Sequence, residues 1–219
     1  MQDQTRIRSR VRVALSSSHL ATFQQACQSD EAALDLYKWN VKASAGVLEL
    51  TGIVEVFLRN ALDQTLTDWM HTQDHQESWI DSVPLNQRGK ADIATAKTRA
   101  SRRRRAYTHN DIIAELSFGF WRYLLENRYY TSLWIPAIHK AFPNASTDLR
   151  RRANDVQLIV RGLHELRNRA AHHEPIITRN LRNDVTNALL LLEWIDPALR
   201  IWTKEILLLP TIIEQNPQG

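Results

Sequence analysis

Over residues 44–70 the apolar side chains of Val47, Leu50, Val54, Phe57, Leu58, Ala61, Leu62 and Trp69 return every three to four positions. That is the period of a helix with one buried face. So long a run restricts the fold strongly, because a strand repeats every two residues and rarely exceeds about ten. The same period returns downstream. Leu149, Ala153, Val156, Ile159, Val160, Leu163 and Leu166 define a helix capped by Ser146 or Thr147 and reaching about Ala171. Val185, Ala188, Leu189 and Leu192 define another over 180–195, closed by Pro197. Ser16, Ser17 or Ser18 is placed to cap a short helix ending near residue 28, and Ser29 with Asp30 to cap one through Leu34, Tyr37 and Trp39. Residues 71–90 read as a polar loop around Trp79 and Ile80, and 91–106 as a basic helix. Asp111 opens a further helix whose aromatic stretch, Phe118, Phe120 and Trp121, reads as core.

Only six glycines occur among 219 residues, too few for a turn-rich β protein or for repeated phosphate-cradling loops. The expected fold is therefore all-α, a single helical domain over 16–219 preceded by a basic arm over 1–15. In the arm Arg6, Arg8, Arg10 and Arg12 alternate with Ile7, Ser9, Val11 and Val13. This pattern suits an extended strand with one basic face, or an arm that orders on binding.

The single cysteine, Cys27, rules out an intramolecular disulfide and a CxxC metal site. No apolar run reaches the roughly 18 residues of a membrane span, and no signal sequence is apparent, which points to a cytoplasmic protein with no membrane partner. The net charge of +4 is mild, but its distribution is uneven. Lys97, Arg99 and Arg102, Arg103, Arg104 and Arg105 form one block; Arg150, Arg151, Arg152, Arg161, Arg167, Arg169, Arg179 and Arg182 crowd the last third. Blocks rich in Arg fit nucleic-acid backbones, and Arg102–Arg105 are the candidates for holding RNA.

The stretch Leu166-Arg167-Asn168-Arg169-Ala170-Ala171-His172-His173-Glu174-Pro175 carries the chemistry. A guanidinium neutralises charge growing on a phosphate, and an imidazole takes or gives the proton of a ribose hydroxyl. Asn168 and His172 lie four apart, on one helical face, whereas Arg167 and His172 are separated by about 140° around the axis. Unwinding before Pro175, or a second protomer, would bring the groups to one phosphate. Arg and His at a helix end also simply complement its dipole. A metal site built from His164, His172, His173 and Glu174 lacks the H-E-x-x-H spacing and is surrounded by guanidiniums, so no metal and no cofactor is expected. Upstream, Glu55, Arg59 and Asp63 are spaced as a salt-bridge ladder; alternatively Glu55, Arg59 and Asn60 line a polar pocket.

Four stretches together resemble the Abi-like (abortive-infection) proteins of bacteria, whose C-terminal part belongs to the HEPN superfamily of helical domains. They are Tyr37-Lys38-Trp39-Asn40, Glu55-Val56-Phe57-Leu58-Arg59-Asn60-Ala61, Leu116-Ser117-Phe118-Gly119-Phe120-Trp121 and the Leu166–Pro175 segment. The resemblance implies a HEPN-like bundle with additional N-terminal and peripheral helices, and a metal-independent endoribonuclease. The R-N-x-x-x-H signature falls on Arg167, Asn168 and His172, with His173 able to share or replace the histidine's role, and Arg169 is a further RNA-binding candidate. The resemblance also implies a homodimer in which two motifs line one cleft. Its setting would be phage defence or a toxin–antitoxin module, with RNA as target, and an antitoxin or small RNA as regulator. The alternative within the same fold is a non-catalytic module that binds RNA or a partner.

Overall fold

A computed structural model describes residues 2–73, 78–103 and 106–218. Among these residues the structure is all-α, without a strand. The helices are α1 (Gln2–Ala14), α2 (Ser17–Gln25), α3 (Asp30–Thr72), α4 (Trp79–Ser82), α5 (Gln87–Arg103), α6 (His109–Glu115), α7 (Phe118–Leu124), α8 (Leu149–Ala171), α9 (Leu181–Ile195), α10 (Pro197–Ile206) and α11 (Leu209–Glu214). No helix among them is long and apolar enough to cross a membrane.

The 43-residue α3 joins what the sequence divides into two helices. Leu36, Trp39, Ala43, Val47, Leu50, Val54, Leu58, Leu62, Leu66 and Met70 are all buried, so the apolar stripe never loses phase. Ser44 and Gly46 suggest a break, but neither stops the ladder, and Ser44 is itself buried. At the start of α3, Ser29 Oγ accepts from Ala32 N at 3.1 Å, the cap its position suggests.

The first segment is also helical, where its alternation suggests a strand. A period of two contains a period of four, so Arg8 and Arg12 share one helix face with the same ease. Arg8 bridges Asp35 at 2.9 Å and Arg12 pairs with Asp30, both on α3.

The chain forms two compact units. The first comprises Met1–Leu50, Leu166–Val185 and Leu207–Gly219. Its core includes Leu20, Phe23, Leu36, Trp39, Val47, Leu166, Ile176 and Leu209. The C-terminal segment is tied down here: Trp39 Nε1 donates to Ile212 O at 2.7 Å, and Leu208 N donates to Glu49 at 3.2 Å. Gly46 permits this approach, since a Cβ there would lie 3.1 Å from Leu209 Cβ.

The second unit comprises Thr51–Glu165 and Thr186–Ile206. Trp79, Phe120 and Trp121 form its aromatic centre, with ring centroids 5.1–6.4 Å apart. Between α7 and α8 the chain makes a 3-10 turn (Asn127–Tyr129), a π turn (Tyr130–Trp134) and a second 3-10 turn (Ile138–Ala141). Trp134 stacks on Phe142 at 5.8 Å. Gly52, in the part of α3 belonging to this unit, is exposed, and a Cβ there would meet nothing within 4 Å. Gly52→Ala is expected to raise stability by about 1 kcal/mol, because alanine lowers the entropy of the unfolded chain without a clash. Denaturant unfolding checks this, and a loss of stability would show that the position is not open.

Candidate functional site

The candidate site lies at the C-terminal end of α8. At the start of that helix, Asp148 Oδ1 accepts from Arg150 N at 2.8 Å and Arg151 N at 3.0 Å, so the cap is Asp148 rather than the neighbouring Ser146 or Thr147. The N–H groups of Arg151 and Arg150 hold the Asp148 carboxyl below its ordinary value. The body of α8 buries Ala153, Val156, Ile159, Val160, Leu163, Leu166 and Ala170, the stripe expected from the sequence.

At its end the helix closes in a defined turn. His172 N still donates to Asn168 O at 3.0 Å, so helical register extends to His172. His173 N then donates to Ala170 O at 3.2 Å, and Glu174 N to Arg169 O at 2.9 Å. These two bonds are the Schellman pattern, which places His173 in the left-handed position. Its φ is 57°. Glycine is the usual occupant of such a position, and another residue there costs roughly 1 kcal/mol. Arg169 completes the closure: its Nη2 donates to Pro175 O at 2.6 Å and its Nε lies 3.5 Å from Glu174 Oε2. Arg169 therefore clasps the turn.

One residue on, Ile176 N donates to Asn40 Oδ1 at 2.9 Å, a bond sealed by the burial of both residues. The Tyr37–Asn40 stretch of α3 thus does three things. Tyr37 packs edge-on against Phe23, Trp39 holds α11, and Asn40 anchors the chain leaving the α8 turn. Asn40 is a positioning residue whose role the sequence signals only through the resemblance of that stretch. Further along, Arg179 holds the buried carboxylate of Asp184 through two bonds of 2.8 Å.

Arg167, Asn168, Arg169, His172 and His173 are accordingly gathered at one helix end of the first unit. Arg167 and Asn168 are half-buried, and His172 and His173 are exposed. Arg167 Nη1 lies 3.5 Å from Asn168 Oδ1. The long arginine side chain therefore reaches round the axis to the face that Asn168 shares with His172, which narrows the angular gap between backbone positions. The helix does not unwind before His172.

The other candidates lie in the second unit. Glu55 and Arg59 are half-buried, and Asn60 is exposed on α3. Arg59 Nε is buried without a hydrogen-bond partner among the described residues. The proposed ladder does not extend to Asp63, which accepts instead from Trp79 Nε1 at 2.6 Å and contacts His109 Nε2 at 2.7 Å. Arg102 is exposed at the end of α5, and Arg103 Nε lies 3.1 Å from Glu115 Oε1. Arg104 and Arg105 fall outside the described residues. The Leu116–Trp121 stretch supplies a cap and a close approach: Ser117 Oγ accepts from Phe120 N at 3.4 Å, and a Cβ on Gly119 would lie 3.3 Å from His164 Nε2. His164 also meets the edge of Phe118, so its ring is packed against α7. Among the described residues no three His, Cys, Asp or Glu side chains are grouped as a metal site. No family model, curated protein or solved structure matches this chain.

Proposed function

We propose that this chain is a metal-independent endoribonuclease of the HEPN type, a cytoplasmic phage-defence or toxin–antitoxin effector acting as a homodimer. The observation that carries the reading is the end of α8. Two exposed imidazoles, one in a left-handed position that a glycine would occupy at lower cost, follow within six residues of an Arg–Asn pair in contact.

In the proposed reaction a histidine removes the proton from a ribose 2′-hydroxyl, and the oxygen attacks the adjacent phosphorus. The bond to the 5′-oxygen of the next nucleotide breaks, leaving a cyclic phosphate. Arg167 stabilises the additional charge on the phosphate, and Asn168 orients the group. His172 is assigned the base, because it alone of the two histidines keeps helical register with Asn168. A second copy related by a two-fold axis supplies the acid that protonates the leaving oxygen.

The test is incubation of a labelled RNA pool with the protein in EDTA. Cleavage to cyclic-phosphate ends supports the reading, whereas RNA that is retarded in a gel but left intact replaces it with a binding module. The basic block bears on affinity rather than turnover. Replacing Arg102, Arg103, Arg104 and Arg105 together with Gln is expected to weaken RNA binding and to flatten its salt dependence. Each lost phosphate contact removes about 0.7 from the slope of log affinity against log salt. Unchanged affinity and slope would remove the block from the interface.

A further inference from the structure

Three residues far apart in sequence, Asp63 on α3, Ser78 at the cap of α4 and His109 at the start of α6, form a continuous hydrogen-bonded chain within the second unit. His109 Nε2 lies 2.7 Å from Asp63 Oδ1, and His109 Nδ1 lies 2.9 Å from Ser78 Oγ. A carboxylate only accepts hydrogen bonds, so in the neutral ring Nε2 carries the proton. Nδ1 then presents its lone pair to Ser78, and the serine hydroxyl donates to it. The two ring nitrogens exchange the places they hold in the familiar serine–histidine–aspartate relay, but the roles are the same: hydroxyl, base, orienting carboxylate.

The surroundings hold this arrangement in place. Trp79 Nε1 donates to the same Asp63 oxygen at 2.6 Å, fixing the carboxylate. The Trp79 ring meets the His109 ring edge-on at 6.3 Å, fixing the imidazole plane. The Thr108–Asp111 capping box sets the backbone of α6 from which His109 projects. Ser78 is half-buried, and the side chains of His109 and Asp63 retain 31% and 18% of their exposure, so the three residues are not sealed in the core. The capping bond that Ser78 Oγ accepts from Ile80 N is long, 3.4 Å, and uses only a lone pair. Capping a helix requires no base behind the hydroxyl; a histidine oriented by a carboxylate is the feature that a cap alone leaves unaccounted for.

We propose that Ser78 is a nucleophile activated by His109 and Asp63, with carboxylic esters as its substrate class. None of the three belongs to the residues assigned to RNA cleavage. Ser78 Oγ attacks the ester carbonyl, forming a C–O bond while its proton passes to His109 Nδ1. The tetrahedral species collapses with loss of the alkoxide, which takes the proton back from Nδ1. Water then repeats the two steps, releasing the acid and restoring the serine.

An alkyl fluorophosphonate, whose serine adduct imitates the tetrahedral species, is the probe. On the full chain, reaction forms an O–P bond at Ser78, breaks P–F and releases fluoride. The expected result is one adduct, mapped to Ser78 by peptide mass spectrometry and absent in Ser78→Ala. His109→Gln is expected to slow labelling about a hundredfold. Asp63→Asn keeps an acceptor for Trp79 Nε1 and is expected to slow labelling while leaving the melting midpoint near that of the parent. A parent protein that takes no label at Ser78, or a rate unchanged in His109→Gln, overturns the proposal and leaves the chain as a strut tying α6 to α3.

Discussion

Arg167→Ala and His172→Ala are each expected to lower RNA cleavage by about 10²–10⁴-fold, measured on the labelled RNA pool in EDTA. The histidine figure is the usual worth of a positioned acid or base. The arginine figure reflects loss of a charged donor aimed at a phosphate that becomes more negative in the transition state. In energy each corresponds to about 2.7–5.4 kcal/mol. Both side chains lie on the outside or half-outside of α8, so neither loss should unfold the chain. His173→Gly separates the two histidines. It removes an imidazole, yet glycine suits a φ of 57° better, so stability should rise by about 1 kcal/mol while cleavage persists. If His173→Gly abolishes cleavage and His172→Ala preserves it, the base is His173. Mixing the inactive Arg167→Ala and His172→Ala proteins tests the composite dimer, since only a mixed pair can assemble one intact set from two chains. Cleavage that survives in both variants places the activity elsewhere.

The parts of this architecture that depend on local pattern were legible from residues alone. Apolar periodicity marks α3, α8 and α9, and Ser29 announces the start of α3. Pattern and structure diverge where one pattern serves two structures. The 6–13 alternation satisfies a strand and also places Arg8 and Arg12 on one helix face, and only the presence of Asp35 and Asp30 on α3 decides between them. Ser44 and Gly46 resemble a helix boundary, but Ala43 and Val47 keep the stripe in phase and tertiary burial overrides the local preference. The R-N-x-x-x-H segment could be read as a helix end because Pro175 follows it. The Schellman turn, the left-handed His173 and the clasp by Arg169 could not, since they depend on how backbone and side-chain atoms meet once the chain has turned. The Asp63–His109–Ser78 chain was hidden for a different reason. Asp63 is spaced to pair with Arg59 along its own helix, and nothing in the sequence shows that α6 and Trp79 reach it first.

Arg152→Leu is expected to destabilise the protein by about 3 kcal/mol or more, which in a chain of this length lowers the melting midpoint by roughly 6–12 °C. Arg150, Arg151 and Arg152 look equivalent in sequence, three charges in a basic crowd, but a helix turns about 100° at each step and sends them to three environments. Arg150 lies over the Tyr130 ring at 3.5 Å, and Arg151 faces Asp155 one turn along at 3.6 Å. Arg152 points inward and keeps only 8% of its exposure. It meets backbone carbonyls: Nε donates to Ser146 O at 2.6 Å, Nη1 to His139 O at 3.0 Å and Nη2 to Ala145 O at 3.4 Å. The Ser146 and Ala145 carbonyls belong to the irregular chain between the last 3-10 turn and α8, where no helical ladder serves them, whereas His139 lies within that turn. His139 O retains the Phe142 N–H after substitution. The Ser146 and Ala145 carbonyls lose their guanidinium donor in a place apolar replacement would dry further. The asymmetry is the reason for the size of the effect: a charged bond is worth modest net energy, but a buried acceptor left alone costs its full desolvation. Arg152→Lys should fall between, because an ammonium is a point donor and cannot span three acceptors with the guanidinium's fixed fork. Thermal and denaturant unfolding of the three proteins measures the order. A loss below about 1 kcal/mol for Arg152→Leu would mean that water replaces the guanidinium at these carbonyls, and that the turn before α8 is held by Asp148 and by the Trp134–Phe142 stack instead.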